Sequence, residues 1–497
     1  MFVAALILAV FGSAPSAQFA GHTQLVIVVD GLRPDYVTPD VMPRLSGLGR
    51  RGIVFTAHHS VFPTVTRVNA ATFVTGAYPE KHGLLGNTIY LPAVDANKGL
   101  DTGDRATMER VAAVDGRLLL APSLGEILTR AGKRLLVTSS GSSGSALILN
   151  PIDGQGSTIH PDFIRPGTLA ERARAILGPA PEKAMPNDSQ NQYAVDAYLK
   201  VGIDDLRPDV TFVWLSDPDG TAHTKGIGAV MSRQSLSLVD AAIGRIEDTL
   251  RERGLLDRTN IIVTSDHGFS THTGELRLAQ LVAPFARKMP DGSSDVVVAE
   301  GAIYVRSAED RAARAAAIVA ALQHRPEVGA IFTMPATAGA GEGVAPGTLS
   351  YDIARSNNAR AGAILVSANW TDGANANGFP GTTSQTGVAG HGTSSPFDIH
   401  NTLIAAGPDF RQGVTSDVPT GNVDIAPTLL RLLELPVPAS MQGRVIVEGL
   451  RGGDGIRLSV RHREVRAATP DARYRVTAFL SVVDGHEYLD RTEVVRP

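Results

Sequence analysis

The sequence contains no cysteine among its 497 residues. Disulfide bonds, thiolate metal sites, iron–sulfur clusters and cysteine nucleophiles are therefore excluded. A sulfatase that makes its nucleophile from cysteine is excluded for the same reason. Any metal ion must be held by histidine, carboxylate or hydroxyl groups.

An excess of basic residues is also lacking. The 46 Lys and Arg are outnumbered by 50 Asp and Glu, which gives a formal net charge of −4. Without a basic surface, neither a nucleic-acid polymer nor an anionic membrane is an expected partner. A nucleotide or another small-molecule phosphate ester can still be a substrate, because local side chains decide its binding.

Long hydrophobic runs are absent from the rest of the chain after the N-terminus. No later stretch approaches the ~20 apolar residues of a membrane-spanning helix. The chain begins with an apolar run, Val3–Phe11, and continues with small residues as far as Ala17. This pattern predicts a signal peptide at 1–17, although basic residues are missing at its start. We expect an exported, periplasmic or secreted protein with no transmembrane segment in the mature chain. A buried N-terminal element and a misassigned start codon are the alternatives.

The central part of the fold is indicated by short β-branched runs that end in loops rich in Asp, His, Gly and Ser. These runs are 25–29, 135–138, 210–215 and 261–264. Continuous apolar runs of this kind are typical of strands buried on both faces of a parallel sheet. Helical patterns occur at 166–177, 190–203, 230–254 and 424–435. The sequence therefore predicts an α/β fold with a doubly wound, mostly parallel sheet, whose ligand site lies beyond the carboxyl ends of the strands.

One long segment interrupts this alternation. Residues from about 270 to 390 contain clusters of Gly, Ala and Ser and a helical pattern at 308–323. We interpret them as a smaller subdomain inserted into a catalytic domain of residues 18–497. Alternating polar and apolar residues at 474–479, and a β-branched end at 493–495, predict closing strands in the tail.

Seven polar residues, nearly all in glycine-containing loops and mostly after predicted strands, could form one site. They are Asp30, Thr66, Asp219, His223, Asp266, His267 and His391. Taken singly, each has an ordinary explanation, such as an Asp-Gly turn, a helix N-cap or an exposed loop histidine. Together they supply three Asp, three His and one Thr, which is about what two zinc ions need. A paired-metal site of this kind activates nucleophiles for phosphoryl displacement.

Thr66 lies where a helix is expected to begin. A helix N-terminus favours negative charge and binds phosphate, so a hydroxyl at this position can act as a nucleophile if a metal lowers its pKa. The alternative is that Thr66 only caps the helix. Asn87, in the loop that follows, is either a turn residue or an amide donor to a phosphoryl oxygen.

In this order the segments resemble the alkaline phosphatase superfamily, and they are most similar to its nucleotide pyrophosphatase/phosphodiesterase branch. The resemblance runs from about residue 24 to 445. Its most specific parts are PTVT at 63–66, VTGAYPEKHG at 74–83, and DIAPTLLRLLEL at 424–435 followed by MQG.

The resemblance implies two zinc ions per chain. One zinc would be held by Asp219, His223 and His391, and the other by Asp30, Asp266, His267 and the Thr66 oxygen. Thr66 would attack phosphorus and form a phosphothreonine intermediate, and Asn87 would donate to a non-bridging oxygen. The expected enzyme is a phosphodiesterase or nucleotide pyrophosphatase.

Arg67 departs from the family pattern, which often places an aromatic residue, Pro and His after the nucleophile. Arg67 either contacts a second phosphate or carboxylate or is a solvated residue at the helix start. A monoesterase branch carries Lys and Arg shortly after a Ser-Gly, whereas the matching stretch here, 139–145, contains no cation. A diester or pyrophosphate substrate is therefore favoured over a phosphomonoester, unless Arg67 replaces the missing cation. Phosphonate hydrolysis and a non-catalytic binding module on the same fold are further alternatives.

Overall fold

The computed structural model describes residues Gly21–Pro497. The predicted signal peptide at 1–17 lies outside the described residues. Within Gly21–Pro497, no helix combines the length and the hydrophobicity that crossing a bilayer requires.

Strands and helices alternate along the described chain. The strands are β1 (Thr23–Val29), β2 (Ile53–Phe55), β3 (His58–His59), β4 (Thr88–Ile89), β5 (Leu100–Asp101), β6 (Leu135–Ser139), β7 (Ser157–His160), β8 (Phe163–Arg165), β9 (Val210–Leu215), β10 (Thr259–Thr264), β11 (Ser270–Leu276), β12 (Val296–Ala299), β13 (Ala302–Val305), β14 (Val328–Thr333), β15 (Leu349–Ser350), β16 (Ile364–Ala368), β17 (Trp370–Ala374), β18 (Pro380–Gln385), β19 (Ala389–Gly390), β20 (Leu403–Ala406), β21 (Val414–Ser416), β22 (Thr420–Gly421), β23 (Val460–Ala468), β24 (Arg475–Val483) and β25 (His486–Val495). The α-helices are α1 (Pro43–Arg51), α2 (Thr66–Thr75), α3 (Pro79–His82), α4 (Arg105–Asp115), α5 (Leu124–Arg130), α6 (Ser143–Leu149), α7 (Gly167–Leu177), α8 (Asp188–Asp196), α9 (Asp219–Lys225), α10 (Val230–Glu252), α11 (Leu278–Val282), α12 (Arg311–Gln323), α13 (Pro396–Ile399) and α14 (Ile425–Leu432).

The central sheet has the strand order β21-β2-β20-β10-β1-β9-β6-β7-β8. The four runs predicted as buried strands are β1, β6, β9 and β10. They are neighbours in the order β10-β1-β9-β6, and every pair among them is parallel. The predicted α/β fold with a mostly parallel central sheet is therefore confirmed, and antiparallel β20 extends the sheet beyond β10.

Both faces of this sheet are covered because its strands are apolar on both sides. Val26 and Val28 of β1 belong to a core that contains residues of α2, α6 and α14. Leu25, Ile27 and Val29 belong to a second core with residues of α1, α8 and α10. Since successive side chains of a strand point to opposite faces, a continuous apolar run buries one set of residues under each helical layer.

Helix ends differ from the prediction by a few residues. The pattern at 424–435 predicted a helix to residue 435, but α14 ends at Leu432. Glu434 has a φ of 56°, a left-handed conformation that stops a helix. The pattern at 190–203 corresponds to α8, which continues as a π-helical segment, Ala197–Leu206.

Beyond β11 the chain builds further sheets. Strands β12, β13, β16, β14 and β15 form a five-stranded sheet, and β17, β18, β11 and β19 form a four-stranded sheet. Strands are present at the predicted tail positions, where β23, β24 and β25 form an antiparallel sheet. This sheet packs on the five-stranded one, where the Tyr474 hydroxyl donates to the Gly329 carbonyl at 2.7 Å. The division into a catalytic domain and an insertion at about 270–390 stays a prediction.

Candidate active site and metal centre

Three aspartates lie together where the central strands end. Asp30 follows β1, Asp219 begins α9 shortly after β9, and Asp266 follows β10. Because β1 lies between β9 and β10 and is parallel to both, the three carboxyl ends meet at one edge of the sheet. The backbone N–H of Asp219 donates to the Asp30 carbonyl at 3.1 Å, which fixes two of the three loops to each other.

Each of these aspartates has one buried carboxylate oxygen that accepts no hydrogen bond from the described residues. The three oxygens are Asp30 Oδ1, Asp219 Oδ1 and Asp266 Oδ2. The second oxygen of Asp30 accepts from Trp214 Nε1 at 3.0 Å, and that of Asp266 accepts from Gly31 N at 3.2 Å. A buried carboxylate oxygen without a partner is costly, so this arrangement calls for a cation.

The histidines present the nitrogen that a metal needs. The Nδ1 atoms of His223, His267 and His391 face the carbonyl oxygens of Ala389, Gly268 and Thr64 at 2.8, 2.9 and 2.8 Å. A carbonyl oxygen only accepts, so we assign the proton to Nδ1 in each neutral ring. The Nε2 lone pair is then free to bind a metal, and the carbonyl fixes the ring in place.

The first group of ligand atoms surrounds Asp219 Oδ1. This oxygen lies 3.3 Å from His223 Nε2 and 3.4 Å from His391 Nε2. Asp219 and His223 are four residues apart on α9, so they share one face of the helix. Ligand atoms ~2.0–2.1 Å from a tetrahedral zinc ion are roughly 3.3 Å apart, and the observed separations fit that value.

The second group surrounds His267 Nε2. The distances from this nitrogen are 3.1 Å to Asp266 Oδ2, 3.6 Å to Asp30 Oδ1 and 3.3 Å to Thr66 Oγ1. The rings of His267 and His391 stack with centroids 3.4 Å apart, so the two groups adjoin. The structure thus brings together all seven residues that the sequence proposed as ligands.

Thr66 is the first residue of α2, and its hydroxyl does not cap the helix. The preceding residue, Val65, is extended, and no side chain caps this helix. The hydroxyl instead donates to His267 Nε2. The cap interpretation of Thr66 is therefore wrong, and its oxygen lies among the ligand atoms at a helix end that favours negative charge.

Asn87 is held beside the start of α2. Its Oδ1 accepts the backbone N–H of Arg67 at 3.1 Å, and its carbonyl accepts the N–H and hydroxyl of Thr102 at 3.0 and 2.7 Å. Its own N–H donates to Glu300 Oε2 at 2.7 Å. Because Oδ1 is engaged, the amide Nδ2 is the end that can donate to an anion.

The charges of the cluster act strongly on one another. Burial, and then the charges of Asp266 and Asp219, raise the pKa of Asp30 well above its ordinary value. Burial opposes ionisation of Asp219 too, but His223 and His391 bring its pKa well below that value. Burial disfavours charge on His223 as well, yet Asp219 raises its pKa to about 9. The imidazoles thus compensate only part of the negative charge of three carboxylates in one buried space.

Gly31 allows the aspartates to approach so closely. Its φ is 72°, a conformation that favours glycine. A Cβ at this position would lie 3.1 Å from the Phe269 ring and 3.2 Å from Asp219 Cβ. The glycine after Asp30 is therefore required both by the turn and by the contact with α9.

Two residues of the site were not identified from the sequence. Trp214 is fully buried, and its indole donates a hydrogen bond to Asp30. Glu300 reaches the Asn87 loop from the turn between β12 and β13, and its own φ is 56°. No sequence signal connects Glu300 to Asn87, because the contact depends on how the second sheet packs against the loop.

A further His/Asp cluster lies apart from this site. Its members are His59, His400 and Asp490. His59 Nε2 and Asp490 Oδ1 are 2.8 Å apart, and Asp490 also accepts from the Ser481 hydroxyl. A direct hydrogen-bonded pair accounts for this contact, which ties β3 to β25.

Comparison with known proteins shows the family. The model of the type I phosphodiesterase / nucleotide pyrophosphatase family matches residues 24–372. Ectonucleotide pyrophosphatase/phosphodiesterase family member 3 of Bos taurus is 26% identical over 246 residues, which are 49% of this chain and 24% of that protein. Family member 7 of Rattus norvegicus is 26% identical over 255 residues, 50% of either chain. This chain thus spans between about a quarter and a half of the length of these curated relatives.

The fold is shared with solved structures. A structure of murine ectonucleotide pyrophosphatase/phosphodiesterase 5, an inactive variant in complex with AMP, has a TM-score of 0.59. The identity is 20%, and the match covers 84% of this chain and 96% of that one. At this identity the likeness shows the fold alone. From the family match over most of its length, this chain belongs to the type I phosphodiesterase/nucleotide pyrophosphatase family.

Proposed function

We propose that this protein hydrolyses phosphodiester or nucleotide pyrophosphate bonds, with Thr66 as the nucleophile and two zinc ions as cofactors. The proposal rests chiefly on one observation: Thr66 Oγ1 lies 3.3 Å from His267 Nε2, inside a set of buried aspartate oxygens without hydrogen bonds. Family membership and the AMP complex of the murine relative support a phosphate ester or nucleotide as the substrate.

The donor set suits two divalent ions. Asp219, His223 and His391 would hold one ion, and Asp30, Asp266, His267 and the Thr66 oxygen would hold the other. When bound, such ions lower the pKa of a hydroxyl and neutralise charge on phosphoryl oxygens. Zinc is the proposed identity, because mixed imidazole and carboxylate sites with tetrahedral spacing are typical of it.

The protein groups then have distinct tasks. Thr66 Oγ1, after losing its proton to water, attacks phosphorus, and the bond from phosphorus to the leaving oxygen breaks with its electron pair on that oxygen. The N-terminus of α2 favours the charge on the phosphoryl group. Asn87 donates from Nδ2 to a non-bridging oxygen, a kind of stabilisation that often contributes most to catalysis. Water afterwards hydrolyses the phosphothreonine and regenerates Thr66.

A phosphomonoesterase is the second candidate. The observation that favours it concerns Arg67, the residue after Thr66, whose buried Nε has no hydrogen-bond partner among the described residues. A cation at this place suits a more highly charged substrate.

The test is kinetic and chemical. Purified protein, Thr66→Ala and Thr66→Ser would be assayed on bis(p-nitrophenyl) phosphate and p-nitrophenyl phosphate, with metal content measured for each. We expect Thr66→Ala to lower kcat/KM by at least ~10³, since the loss of a covalent nucleophile usually has an effect of this size or larger. Thr66→Ser should keep part of the activity, and quenched turnover should show a phosphoryl group on Thr66.

Two results would end the proposal. Full activity in Thr66→Ala would contradict the role of Thr66 as the nucleophile. Fewer than two metal ions per active chain would contradict the paired metal site. A much higher kcat/KM for the monoester would replace the diesterase by the second candidate.

We also propose that the protein acts outside the cytoplasm, in the periplasm or as a secreted enzyme on small-molecule substrates. The signal-like sequence at 1–17 supports this location. N-terminal sequencing of the native protein should show a chain that starts after this segment; a retained Met1 on protein from the cytoplasmic fraction would contradict it.

A further inference from the structure

Arg67 is the second residue of α2 and directly follows Thr66. Its Nε is buried and has no hydrogen-bond partner in the part of the chain that the structure describes. Within Gly21–Pro497 the guanidinium forms no ion pair at 4.0 Å or less. Buried guanidinium nitrogens are normally hydrogen-bonded, so a free one beside a nucleophile indicates a ligand.

The surroundings of Arg67 place it at the meeting point of three segments. Its guanidinium lies against Gly103, where a Cβ would overlap it. The same turn holds the Asn87 loop, because Thr102 donates to the Asn87 carbonyl. It also holds the Ser-Gly stretch at 139–145, because Gly144 N donates to the Gly103 carbonyl at 2.8 Å.

This position compensates for what the Ser-Gly stretch lacks. Residues 139–145 contain neither Lys nor Arg, so this segment provides no cation for a phosphate. Arg67 brings a cation to the same turn from the other side, on the helix that carries Thr66. The glycine at position 103 leaves room for its planar group.

Neighbouring acids do not satisfy the charge of Arg67. Glu300 Oε2 accepts the N–H groups of Asn87 and Thr88. Asp101 Oδ1, which adjoins the same glycine as the guanidinium, accepts the N–H of Gly103 at 2.8 Å. Burial raises the pKa of Glu300, and the Arg67 charge is among the effects that oppose this rise.

We propose that Arg67 binds a second negative charge on the substrate. This charge is either the second one on the reacting phosphorus, as in a monoester, or the one on a neighbouring phosphorus, as in a pyrophosphate. Guanidinium groups bind phosphate oxygens in a fixed, often bidentate geometry. The proposal rests on the proposed function, because it takes the attacked phosphorus to lie at Thr66.

The experiment compares substrates that differ in charge. Metal-loaded protein would be assayed at about pH 8 on p-nitrophenyl phosphate, methyl p-nitrophenyl phosphate and a dinucleoside pyrophosphate. The variants are Arg67→Met, which keeps an apolar stem of similar length, and Arg67→Lys. Arg105→Ala is the matched control: it removes a cation from the same region, but one that contacts Glu109 at 3.8 Å and covers the Phe163 ring.

The expected result is a selective loss. A hydrogen bond to a charged group contributes ~1.5–3 kcal/mol, so Arg67→Met should lower kcat/KM for one doubly charged substrate by about 10- to 100-fold relative to methyl p-nitrophenyl phosphate. A loss on the monoester alone assigns the charge to the reacting phosphorus, and a loss on the pyrophosphate alone assigns it to the neighbour. Arg67→Lys should restore part of the selectivity, and Arg105→Ala should leave it unchanged.

Binding measurements separate this proposal from the proposed function. Binding of inorganic phosphate and pyrophosphate to metal-loaded Thr66→Ala can be titrated without turnover. In the double variant Thr66→Ala/Arg67→Met, the Kd of at least one of these anions should rise by about 10- to 100-fold. If wild type hydrolyses none of the esters, the proposed function fails, and these titrations still test Arg67. Equal loss on all substrates, or unchanged kinetics and binding in folded Arg67→Met, would overturn the role of Arg67.

Discussion

The indole Nε1 of Trp214 donates a hydrogen bond to Asp30 Oδ2 at 3.0 Å, and Asp30 Oδ1 is left facing His267 Nε2. Trp214 lies on β9 and Asp30 follows β1, so the bond crosses between neighbouring strands. One oxygen of the carboxylate is thereby fixed by the core while the other faces the ligand cluster. Such support orients a ligand before any ion arrives.

Trp214→Phe should weaken metal binding while the fold is retained. Phenylalanine keeps an aromatic ring in the core but cannot donate to Asp30. Loss of a group that orients a metal ligand typically lowers metal affinity by ~10–100-fold. Activity should fall at limiting zinc and recover in excess zinc, measured as the zinc concentration for half-maximal activity.

Trp370→Phe provides the matched control for this variant. The indole of Trp370 donates to the Thr492 carbonyl at 2.6 Å, at the tail sheet and not at the ligand cluster. Its zinc dependence should equal that of wild type. An equal shift in both variants would show that the effect is a general loss of stability.

Removal of the metal should destabilise the protein. Without cations, the aspartates of the site face one another in a buried space, and Asp30 is held partly against the charges of Asp266 and Asp219. A bound ion stabilises the folded state by ~2.7 kcal/mol when its concentration is 100 times its Kd. We expect chelator-treated protein to unfold at a lower temperature and added zinc to restore it.

Asp219→Asn is the comparison for the metal experiment. This change removes the central carboxylate of the first ligand group, so one ion per chain should remain and the zinc-dependent shift in Tm should shrink. An unchanged Tm after complete removal of metal from wild type would contradict the prediction.

Glu300 is expected to position Asn87. Its Oε2 accepts the Asn87 and Thr88 N–H groups at 2.7 and 3.4 Å. Glu300→Ala should lower kcat by about tenfold, because an unfixed donor loses part of its transition-state stabilisation. Metal content should not change.

Two comparisons make the Glu300 prediction specific. Glu309→Ala, at an exposed position of the same region, should have no effect on kcat. Asn87→Ala should lower kcat more than Glu300→Ala does. The double variant should have about the same kcat as Asn87→Ala, because the effects of residues that act through one another are not additive. Additive losses would show that Glu300 acts independently of Asn87.

The buried His82 should make stability depend on pH. It is fully buried, its Nδ1 accepts the Leu84 N–H, and its Nε2 bonds the Thr72 hydroxyl. Burial lowers its pKa from 6.5 to about 3. Below about pH 6.5 this histidine is protonated in the unfolded chain but stays neutral in the folded chain. The free energy of unfolding therefore falls as the pH drops through about 6.5, by ~1.4 kcal/mol between about pH 7.5 and 5.5.

Urea unfolding of wild type and His82→Gln at these two pH values checks this. The variant should be less stable than wild type at both pH values. Between them, its free energy of unfolding should fall by ~1.4 kcal/mol less than that of wild type. His324→Gln, at an exposed position, should retain the wild-type pH dependence. Parallel curves for wild type and His82→Gln would contradict the assignment.

The sequence indicated the fold and the residues of the candidate site because both depend on local patterns. Each central strand is a continuous apolar run. Asp30 directly follows one of them and Asp266 lies two residues beyond another, so we could expect the two side chains to lie close together at one edge of the sheet. The supporting contacts could not be predicted in this way. The bond from His391 Nδ1 to the Thr64 carbonyl joins segments far apart in sequence, and the position of Glu300 depends on a second sheet whose packing leaves no periodic signal.

The ligand set draws on the first strand of the central sheet and on a loop that comes late in the chain. Asp30 follows β1, whereas His391 comes after the five-stranded sheet and shortly before β20. During translation the two residues therefore leave the ribosome far apart in time. A nascent chain that stops before residue 391 lacks one member of the proposed first ligand group, so the candidate site is complete only once most of the polypeptide has been made.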